Sequence, residues 1–368
     1  MEDLNRNLCA ISSLIYAKRG ACKKIRDELG CPLSLFDLKP SEIDTLTGSE
    51  GDGEKLKSKE YLSVAQQEAD WCKSKGVEII EINSPKYPPL LRECDDAPLI
   101  LYFKGNGDLT KRKSVAIVGT RVPSDYGIKE CGNVVEALAS SNHNPLIISG
   151  LAVGIDINAH RNALNKSLET IAVLPCGIDN IYPATNREYA IKMLTQGGVI
   201  TEFPRGVKPL RFNFLQRNRI IAGMAAAIVV VESRISGGSM STVEYGWSYG
   251  REIVALPGRV NDVNSYGCNY LISKNIASIY LNSSTIPKVL NWGDESSDIA
   301  LSPDLFSTDE RVKEKILLTL ASIKRGSIEQ IVEISGLDAD IVSAAMIELE
   351  LSFKVKKDSK DLFELYLR

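Results

Sequence analysis

The segment Ser-Val-Ala-Ile-Val-Gly-Thr-Arg at residues 114–121 joins a short apolar run to a glycine-containing loop. An apolar run without polar alternation indicates a strand that is buried on both faces of a sheet. Similar runs recur along the chain with helical patterns between them, which indicates parallel strands joined by helices. The chain is therefore predicted to be an α/β protein with a Rossmann-like, doubly wound parallel-sheet core. The predicted strands lie near residues 114–118, 146–149, 170–174, 198–201, 228–232 and 252–256.

The loops that follow three of these strands carry glycines and polar residues in unusual density. They cover residues 119–121, 149–156 and 232–238. Ligands of open parallel sheets bind outside the carboxyl ends of the strands. These three loops are therefore predicted to converge on one site.

The regions on either side of the core have a different character. Residues 1–75 are predicted to form a small helical domain of the SAM or helix-hairpin-helix type, with a loop or linker at 47–57. The core is predicted to cover 76–290, and the polar, acidic segment 291–304 is predicted to be a linker. Residues 305–368 show three helical patterns followed by two short strands, which is the order of a winged helix.

Composition restricts the class of protein. The 368 residues are 44% hydrophobic and 25% charged, which is typical of globular domains. No apolar stretch approaches the roughly 20 residues of a membrane span, and the N-terminus lacks a signal-peptide pattern. A cytoplasmic protein that does not contact a membrane is the expectation. Eight cysteines without a CxxC pair and two histidines argue against a zinc site or a disulfide framework, so neither a metal nor a cofactor is predicted.

A short basic segment is the strongest indication of a ligand. Residues 204–219 contain five cations and no acid, with Phe212 and Phe214 among them, whereas the whole chain carries a net charge of −3. Cations that contact phosphates, beside rings that stack on bases, are what sequence-tolerant binding of a single strand requires. The cations are Arg205, Lys208, Arg211, Arg217 and Arg219.

The segment Ser-Gly-Gly-Ser-Met-Ser-Thr at residues 236–242 is predicted to seat a phosphate. Glycines at 237 and 238 let backbone N–H groups approach an anion, and the hydroxyls of Ser239, Ser241 and Thr242 lie where a helix is predicted to begin. An ordinary strand-to-helix turn would have a similar composition.

Purely structural roles, without contact to a ligand, remain open for several of these residues. Arg217 and Arg219 are two positions apart, so both cannot face one phosphate from a regular helix, and a salt bridge is as good an expectation for one of them. Asn218 is a candidate cap for a helix that continues from 220 to 227. Phe212 and Phe214 alternate as on a strand, and the core is the commoner location for phenylalanine.

Three enzyme classes are excluded because their characteristic motifs are absent from the chain. Glycines 119 and 127 do not form GxGxxG, no GK[ST] triplet occurs, and no GxSxG elbow is present. His160 is predicted to be a hydrogen-bonded structural residue that caps the helix 155–164, and Asp156 is predicted to be a helix-start residue.

Six motifs follow one another along the chain: SVAIVGTR (114–121), SGLAVGIDINAH (149–160), TIAVLPCGIDNIYP (170–183), RNRIIAG (217–223), SGGSMST (236–242) and GREIVALPG (250–258). In the order and spacing of these motifs the chain resembles the DNA-processing protein A (DprA or Smf) family over nearly its whole length.

The resemblance implies a protein that binds and protects single-stranded DNA and loads a RecA-type recombinase onto it during natural transformation or homologous recombination. It also implies a homodimer formed through the core and a protein that is not an enzyme. Residues carried over from the family's motifs, together with their polar neighbours, give one predicted DNA-binding set. The set is Arg121, Gly150, Arg205, Lys208, Arg211, Phe214, Arg217, Asn218, Arg219, Gly237, Gly238, Ser239, Ser241 and Thr242.

An enzyme is the main alternative. Lysine-decarboxylase-like phosphoribohydrolases process nucleotides with a Gly-Gly-x-Gly-Thr turn and a nearby Glu, which resembles residues 237–242 and Glu244. That family lacks the basic segment 204–219. A nucleotide-sensing module of a defence or signalling system is a third possibility.

The C-terminal module has an unfavourable charge for reading DNA. Residues 305–368 contain ten Lys or Arg and twelve Asp or Glu, and the presumed recognition helix carries Glu348 and Glu350. DNA phosphates would meet net negative charge there. A protein contact is therefore the prediction for this module.

Overall fold

A computed structural model describes residues 2–293, 310–352, 354–358 and 362–366. By its internal contacts the chain forms two compact units, Met1–Gly293 and Asp294–Arg368. The predicted helical region 1–75 belongs to the first unit together with the sheet. Its separation from the core as a domain of its own stays a prediction. Residues 294–304, most of the predicted linker, lie outside the described part of the chain.

The N-terminal region consists of helices, as the sequence predicts, but one of them was missed. Residues 52–57 are helical where a loop is predicted, because the Asp44 carboxylate accepts the N–H groups of Gly51 and Gly53 and so fixes the approach to that helix. The helices are α1 (Glu2–Ile15), α2 (Arg19–Leu29), α3 (Pro40–Thr47), α4 (Asp52–Lys57) and α5 (Lys59–Lys75), with a 3-10 helix at Pro32–Asp37.

The centre of the first unit is a mixed, mostly parallel sheet, which has nine strands in the described part of the chain. The six predicted parallel strands are all present, within one to two residues of their predicted bounds. The strands are β1 (Glu78–Glu81), β2 (Ile100–Gly105), β3 (Ser114–Val118), β4 (Leu146–Ser149), β5 (Thr170–Val173), β6 (Gly197–Thr201), β7 (Ala227–Val230), β8 (Glu252–Ala255) and β9 (Ser278–Ile279).

Helices connect these strands. They are α6 (Pro89–Arg92), α7 (Asp125–Ser140), α8 (Ile155–Asn165), α9 (Arg187–Met193), α10 (Arg211–Met224), α11 (Gly238–Ser248), α12 (Tyr266–Ser273) and α13 (Thr285–Val289).

The strand order is β1-β2-β6-β5-β4-β3-β7-β8-β9, which is the order of a doubly wound sheet extended at one edge. β3 to β9 run parallel to one another. β1 and β2 are antiparallel, and β2 pairs with β6 through Tyr102 opposite Thr201. The start of the predicted core, before β3, therefore contributes two further strands to the same sheet.

The sheet is buried on both faces, because alternate side chains of one strand enter different apolar clusters. Val115 and Ile117 of β3 pack with residues of α7 and α8, whereas Ala116 and Val118 belong to the cluster that also holds α1 and α2. This explains why the strands are apolar at every position. The N-terminal helices share the cluster of Ala116 and Val118 with the sheet, so the packing of these helices depends on the sheet.

The second unit contains three helices and, after them, two short strands, the order that the sequence predicts. α14 (Glu310–Ile323), α15 (Ile328–Ser335) and α16 (Ala339–Leu351) enclose an apolar cluster with Val355 and Phe363. β11 (Val355–Lys357) and β12 (Phe363–Leu365) pair antiparallel, and β10 (Arg325–Gly326) also pairs antiparallel with β12.

Among the described residues, no helix combines the length and the apolar character needed to cross a membrane.

Candidate nucleic-acid interface

A cleft lies where the strand order of the sheet reverses. β3 lies between β4 and β7, so the connections that leave β3 and β7 run in opposite directions along the sheet, and this is where open α/β sheets bind ligands. The loops after β3 and β7 line a cavity of about 710 Å³ together with α10 and α11. Its charged lining residues are Arg121, Arg211, Arg217, Arg234 and Asp156. Four cations against one acid make the cavity a place for an anion.

Most residues of the sequence-predicted set line this cavity, because α10 packs against α11 above the carboxyl ends of the strands. Segments that are 20 residues apart in the sequence are thereby combined in one surface. The members of the set that line the cavity are Arg121, Arg211, Phe214, Arg217, Asn218, Gly237, Gly238, Ser239, Ser241 and Thr242.

Arg217 contributes buried positive charge to the cavity. Its side chain is 96% buried, since only 4% of the residue surface is exposed. Nη1 donates to the carbonyl oxygens of Gly150 at 2.6 Å and Val173 at 2.5 Å, and Nε donates to Asn218 Oδ1 at 3.1 Å. Carbonyl oxygens are neutral acceptors, so these bonds orient the guanidinium without cancelling its charge.

Gly150 supports this position without lining the cavity. It is buried, and a Cβ atom built on it would lie 2.3 Å from Nη1 of Arg217. The missing side chain therefore allows the guanidinium to approach the backbone at the end of β4. Gly150 therefore helps to position Arg217 and does not itself form part of the cavity surface.

The Gly/Ser turn forms the first turn of α11, as the sequence predicts. Gly237 precedes the helix, and the first N–H groups of a helix have no acceptor within it and carry partial positive charge. Asn218 Nδ2 donates to Gly238 O at 3.2 Å and to Ser241 Oγ at 2.8 Å, which joins α10 to this turn. Space is open at Gly238, where a built Cβ meets no atom within 4 Å.

An aromatic wall completes the cavity. The Phe214 ring meets the Tyr182 ring edge-on with 5.5 Å between centroids, and the Arg121 guanidinium lies over Phe214 at 5.3 Å. Phe214 is half-buried and Arg121 is exposed. A ring and a planar cation at the entrance to a basic cavity are suited to contact with a base.

Burial controls protonation at the base of the cleft. It lowers the pKa of Arg217 to about 10, so the guanidinium keeps its charge at pH 7. It also raises the pKa of the Asp156 carboxyl, which the charge of Arg217 opposes. Burial and Arg217 together lower the pKa of His160 to about 3, so this imidazole is neutral.

His160 and Asp156 have the structural roles predicted for them, with one correction. His160 is fully buried and its Nδ1 lies 2.7 Å from Thr170 Oγ1. It lies in the middle of α8 rather than at an end, so the prediction that it caps the helix is wrong. Asp156 lies in the first turn of α8 as predicted, and it also lines the cavity.

Arg205 and Lys208 lie on the approach to α10 rather than in the cavity. The Arg205 guanidinium lies over the Trp71 ring at 5.0 Å, and its backbone N–H donates to Glu68 at 3.0 Å. Lys208 is exposed, and its carbonyl accepts a hydrogen bond from Asn213. Both cations are accessible to solvent but separate from the cavity lining.

Arg219 is not part of the surface. Its side chain is 1% exposed and forms an ion pair with the buried Glu202, and Nη1 donates to the carbonyl of Asp96. This is the salt-bridge alternative that the sequence left open for one arginine of the pair. Because a phosphate cannot reach a guanidinium enclosed in this way, we remove Arg219 from the candidate interface.

Two predictions about local structure in this segment are wrong. Phe212 and Phe214 do not lie on a strand, because α10 already begins at Arg211. Asn218 therefore lies within the helix and cannot cap it. On a helix the two rings diverge: Phe214 lines the cavity, whereas Phe212 is exposed and does not.

Tyr182 and Arg234 also line the cavity, although the sequence-predicted set does not contain them. Tyr182 lies in the motif 170–183, in the part that follows β5, and an aromatic residue after a parallel strand was an available signal. Arg234 lies in the loop after β7, next to the Gly/Ser turn. Its charge could have been counted with the basic segment.

Within the ranges that the structure describes, no three His, Cys, Asp or Glu side chains are grouped as metal ligands. The eight cysteines are free thiols.

A Rossmann-like α/β fold with a positively charged cleft at its switch point defines a class of anion-binding proteins. Residues 78–291 match the family model of DNA recombination-mediator protein A. The chain belongs to this family, as the resemblance of its motifs implies.

Known proteins agree with this assignment. The chain is 40% identical over 188 residues to the DNA processing protein DprA of Streptococcus pneumoniae, an alignment that covers 51% of this chain and 66% of that protein. A solved structure of DprA from Streptococcus pneumoniae superposes with a TM-score of 0.60 at 29% identity, covering 76% of this chain and 96% of the other. DprA from Helicobacter pylori, solved in a study of its single-stranded DNA binding mode, gives a TM-score of 0.53 at 29% identity and covers 59% of this chain and 96% of that one.

Proposed function

We propose that this protein binds and protects single-stranded DNA and loads a RecA-type recombinase onto it during natural transformation or homologous recombination. The observation that carries the proposal is the charge of the switch-point cavity, where four arginines and one aspartate surround a helix N-terminus. Family membership and the single-strand binding mode of the Helicobacter pylori relative support it. We also propose that the protein acts in the cytoplasm as a homodimer formed through the core.

Strand contact in this proposal combines phosphate and base. Arg121, Arg211 and Arg217 meet phosphate oxygens, the N–H groups of residues 238 and 239 donate to a phosphate at the helix end, and Phe214 stacks on a base. Stacking requires an unpaired base. Single strands should therefore bind more tightly than duplexes.

The cavity gives less support to the nucleotide-processing enzyme. Glu244, which that alternative needs near the Gly/Ser turn, is exposed and is not among the residues that line the cavity. The lining acid is Asp156, which is buried at the start of α8.

Substitution of Gly238 tests the strand site. A Cβ at this position meets no atom within 4 Å, so Gly238→Ala and Gly238→Asp should both fold. An aspartate in the first turn of a helix is favourable for the helix itself but repels a phosphate. Fluorescence anisotropy with a labelled unpaired oligonucleotide should show strong binding by wild type and Gly238→Ala and much weaker binding by Gly238→Asp. Equal affinities for the three proteins would contradict the proposal.

We further propose that residues 305–368 serve a protein partner and are dispensable for strand binding, because their charges sum to −2 (ten Lys or Arg and twelve Asp or Glu). A comparison of the full chain with residues 1–293 in strand binding, and in recombinase filament formation on strands coated with single-strand binding protein, tests both points. Loss of strand binding by a folded truncation would make the C-terminal unit a DNA reader.

A further inference from the structure

The cavity has the dimensions of a site for a whole small molecule. Its volume of about 710 Å³ is within the range of about 300–1,000 Å³ that is usual for ligand pockets. Buried residues form its inner surface, including Val118, Ile221 and Thr242. A flat track would suffice for a strand that passes over the surface, whereas this cavity has depth.

An unused donor lies in the cavity. Nε and Nη1 of Arg217 are both hydrogen-bonded, but Nη2 has no hydrogen-bond partner among the described residues, although the side chain is 96% buried and lines the cavity. No carboxylate lies within ion-pair distance of this guanidinium in the described part of the chain. A ligand anion would supply both the missing acceptor and the missing negative charge.

The N-terminus of α11 faces the same cavity through Gly237, Gly238 and Ser239. This end and Arg217 are two independent sources of positive potential. A phosphomonoester carries about −1.5 to −2 charge at pH 7 and three strong acceptor oxygens, which is more than an internal phosphodiester offers. The terminal phosphate of a mononucleotide therefore matches this pair of donors better than the backbone of a strand does.

The opposite side of the cavity suits a base. Phe214 is held by the edge of Tyr182 and lies beneath Arg121, and all three residues line the cavity. The rings provide a stacking surface that accepts any base, because every base has a π face.

We propose that the cavity binds free nucleoside monophosphates, with the phosphate at Arg217 and the start of α11 and the base against Phe214. This goes beyond strand binding, because it gives the protein a small-molecule ligand that competes with the strand for one site. Hydrolysis of a DNA strand to its monomers produces ligands of this class.

The experiment uses the full chain and three probes: deoxyadenosine 5′-monophosphate, deoxyadenosine and inorganic phosphate. Calorimetric titration should detect the monophosphate, with deoxyadenosine and inorganic phosphate each at least about tenfold weaker, because each lacks one half of the contacts. The monophosphate should also displace a labelled oligonucleotide fully. Gly238→Asp should abolish binding of the monophosphate, whereas Phe212→Ala, which changes an exposed ring outside the cavity, should retain it.

The outcomes separate this inference from the proposed function. If the oligonucleotide binds while the monophosphate gives neither heat nor displacement at millimolar concentration, the inference is wrong and strand binding stands. Heat without displacement would place the nucleotide elsewhere and also overturn it, as would equal binding of inorganic phosphate. If the monophosphate binds and the oligonucleotide does not, the proposed function fails and the inference stands.

Discussion

Arg217 and Arg219 are two residues apart on α10, are both almost completely buried, and lie in opposite electrostatic environments. Arg219 faces the N-terminal side of the unit, where it meets the carboxylate of Glu202 and the backbone of Asp96. Arg217 faces the cavity, where its partners are backbone carbonyls and the amide of Asn218. Arg219 has a carboxylate within ion-pair distance, whereas Arg217 has none among the described residues and interacts with the buried Asp156 only at longer range.

Burial alone does not decide whether a cation is structural. Carbonyl oxygens satisfy donors but leave the net charge in place, whereas a carboxylate removes it. A buried arginine held by neutral acceptors at the wall of a cavity is therefore available to an anionic ligand. Substitutions at these two positions should have separable effects on stability and binding.

The largest effect is expected for Arg219→Ala. The substitution leaves Glu202 buried without its ion partner, which should lower the free energy of unfolding by about 3–5 kcal/mol. Urea denaturation followed by tryptophan fluorescence reports on this, because all three tryptophans, residues 71, 247 and 292, lie in the first unit. The double variant Arg219→Met with Glu202→Leu should recover most of the loss. A change below about 1 kcal/mol would show that the two environments do not differ as described.

Arg217→Met should have a smaller effect on stability and a large effect on binding. It leaves the carbonyl groups of Gly150 and Val173 without a donor, at about 1–3 kcal/mol, and removes a charge-assisted contact to phosphate worth about 1.5–3 kcal/mol. Strand affinity measured by anisotropy at low temperature should fall by about tenfold or more. The Arg219→Ala protein, while folded, should bind the strand like wild type. Equal losses of strand affinity in the two variants would contradict the claim that only Arg217 is available to the strand.

Phe214→Ala tests whether a base of the strand stacks on the aromatic wall of the cavity. Loss of a stacking ring should weaken strand binding by about 1–3 kcal/mol. Phe212→Ala is a matched control, because this ring lies on the same helix, is exposed and does not line the cavity. Equal losses for the two variants, or unfolding of Phe214→Ala, would assign Phe214 to the core instead.

The smallest effect is expected for Arg211→Ala. An exposed arginine at the cavity contributes charge, so affinity should fall for all sequences alike and the slope of log affinity against log salt should become shallower by about 0.7. Lys208→Ala removes an exposed cation just outside the cavity and should leave the slope unchanged. Identical slopes for wild type and Arg211→Ala would remove Arg211 from the interface.

The sheet could be predicted closely because its physics is local. β3 and β7 are apolar at nearly every position. Four or five consecutive residues are therefore enough to predict that each strand is buried on both faces. α4 could not be predicted in this way, since its start depends on hydrogen bonds from Gly51 and Gly53 to Asp44, which a linear pattern does not show.

The start of α10 was misjudged for a different reason. Residues 216–224 are buried on every side of the helix, so no polar face marks the helical period, and Phe212 and Phe214 alone suggested a strand. The same burial hides the partners of the arginines. The sequence could predict that one of Arg217 and Arg219 forms a salt bridge, but it could not show which one. Glu202 follows a different strand, and only the fold brings it to Arg219.

The pairing of β2 with β6 has a consequence for how the protein forms. Tyr102 pairs with Thr201, and Val115 of β3 pairs with Ala227, so each contact closes a loop of roughly a hundred residues. Contacts of such high sequence separation slow folding, whereas the helices of the C-terminal unit follow one another closely in the sequence. During synthesis, β1 and β2 emerge from the ribosome long before residues 197–201, and the edge of β2 that will receive β6 stays unpaired until then. Newly made chains should therefore be most prone to aggregation in this interval.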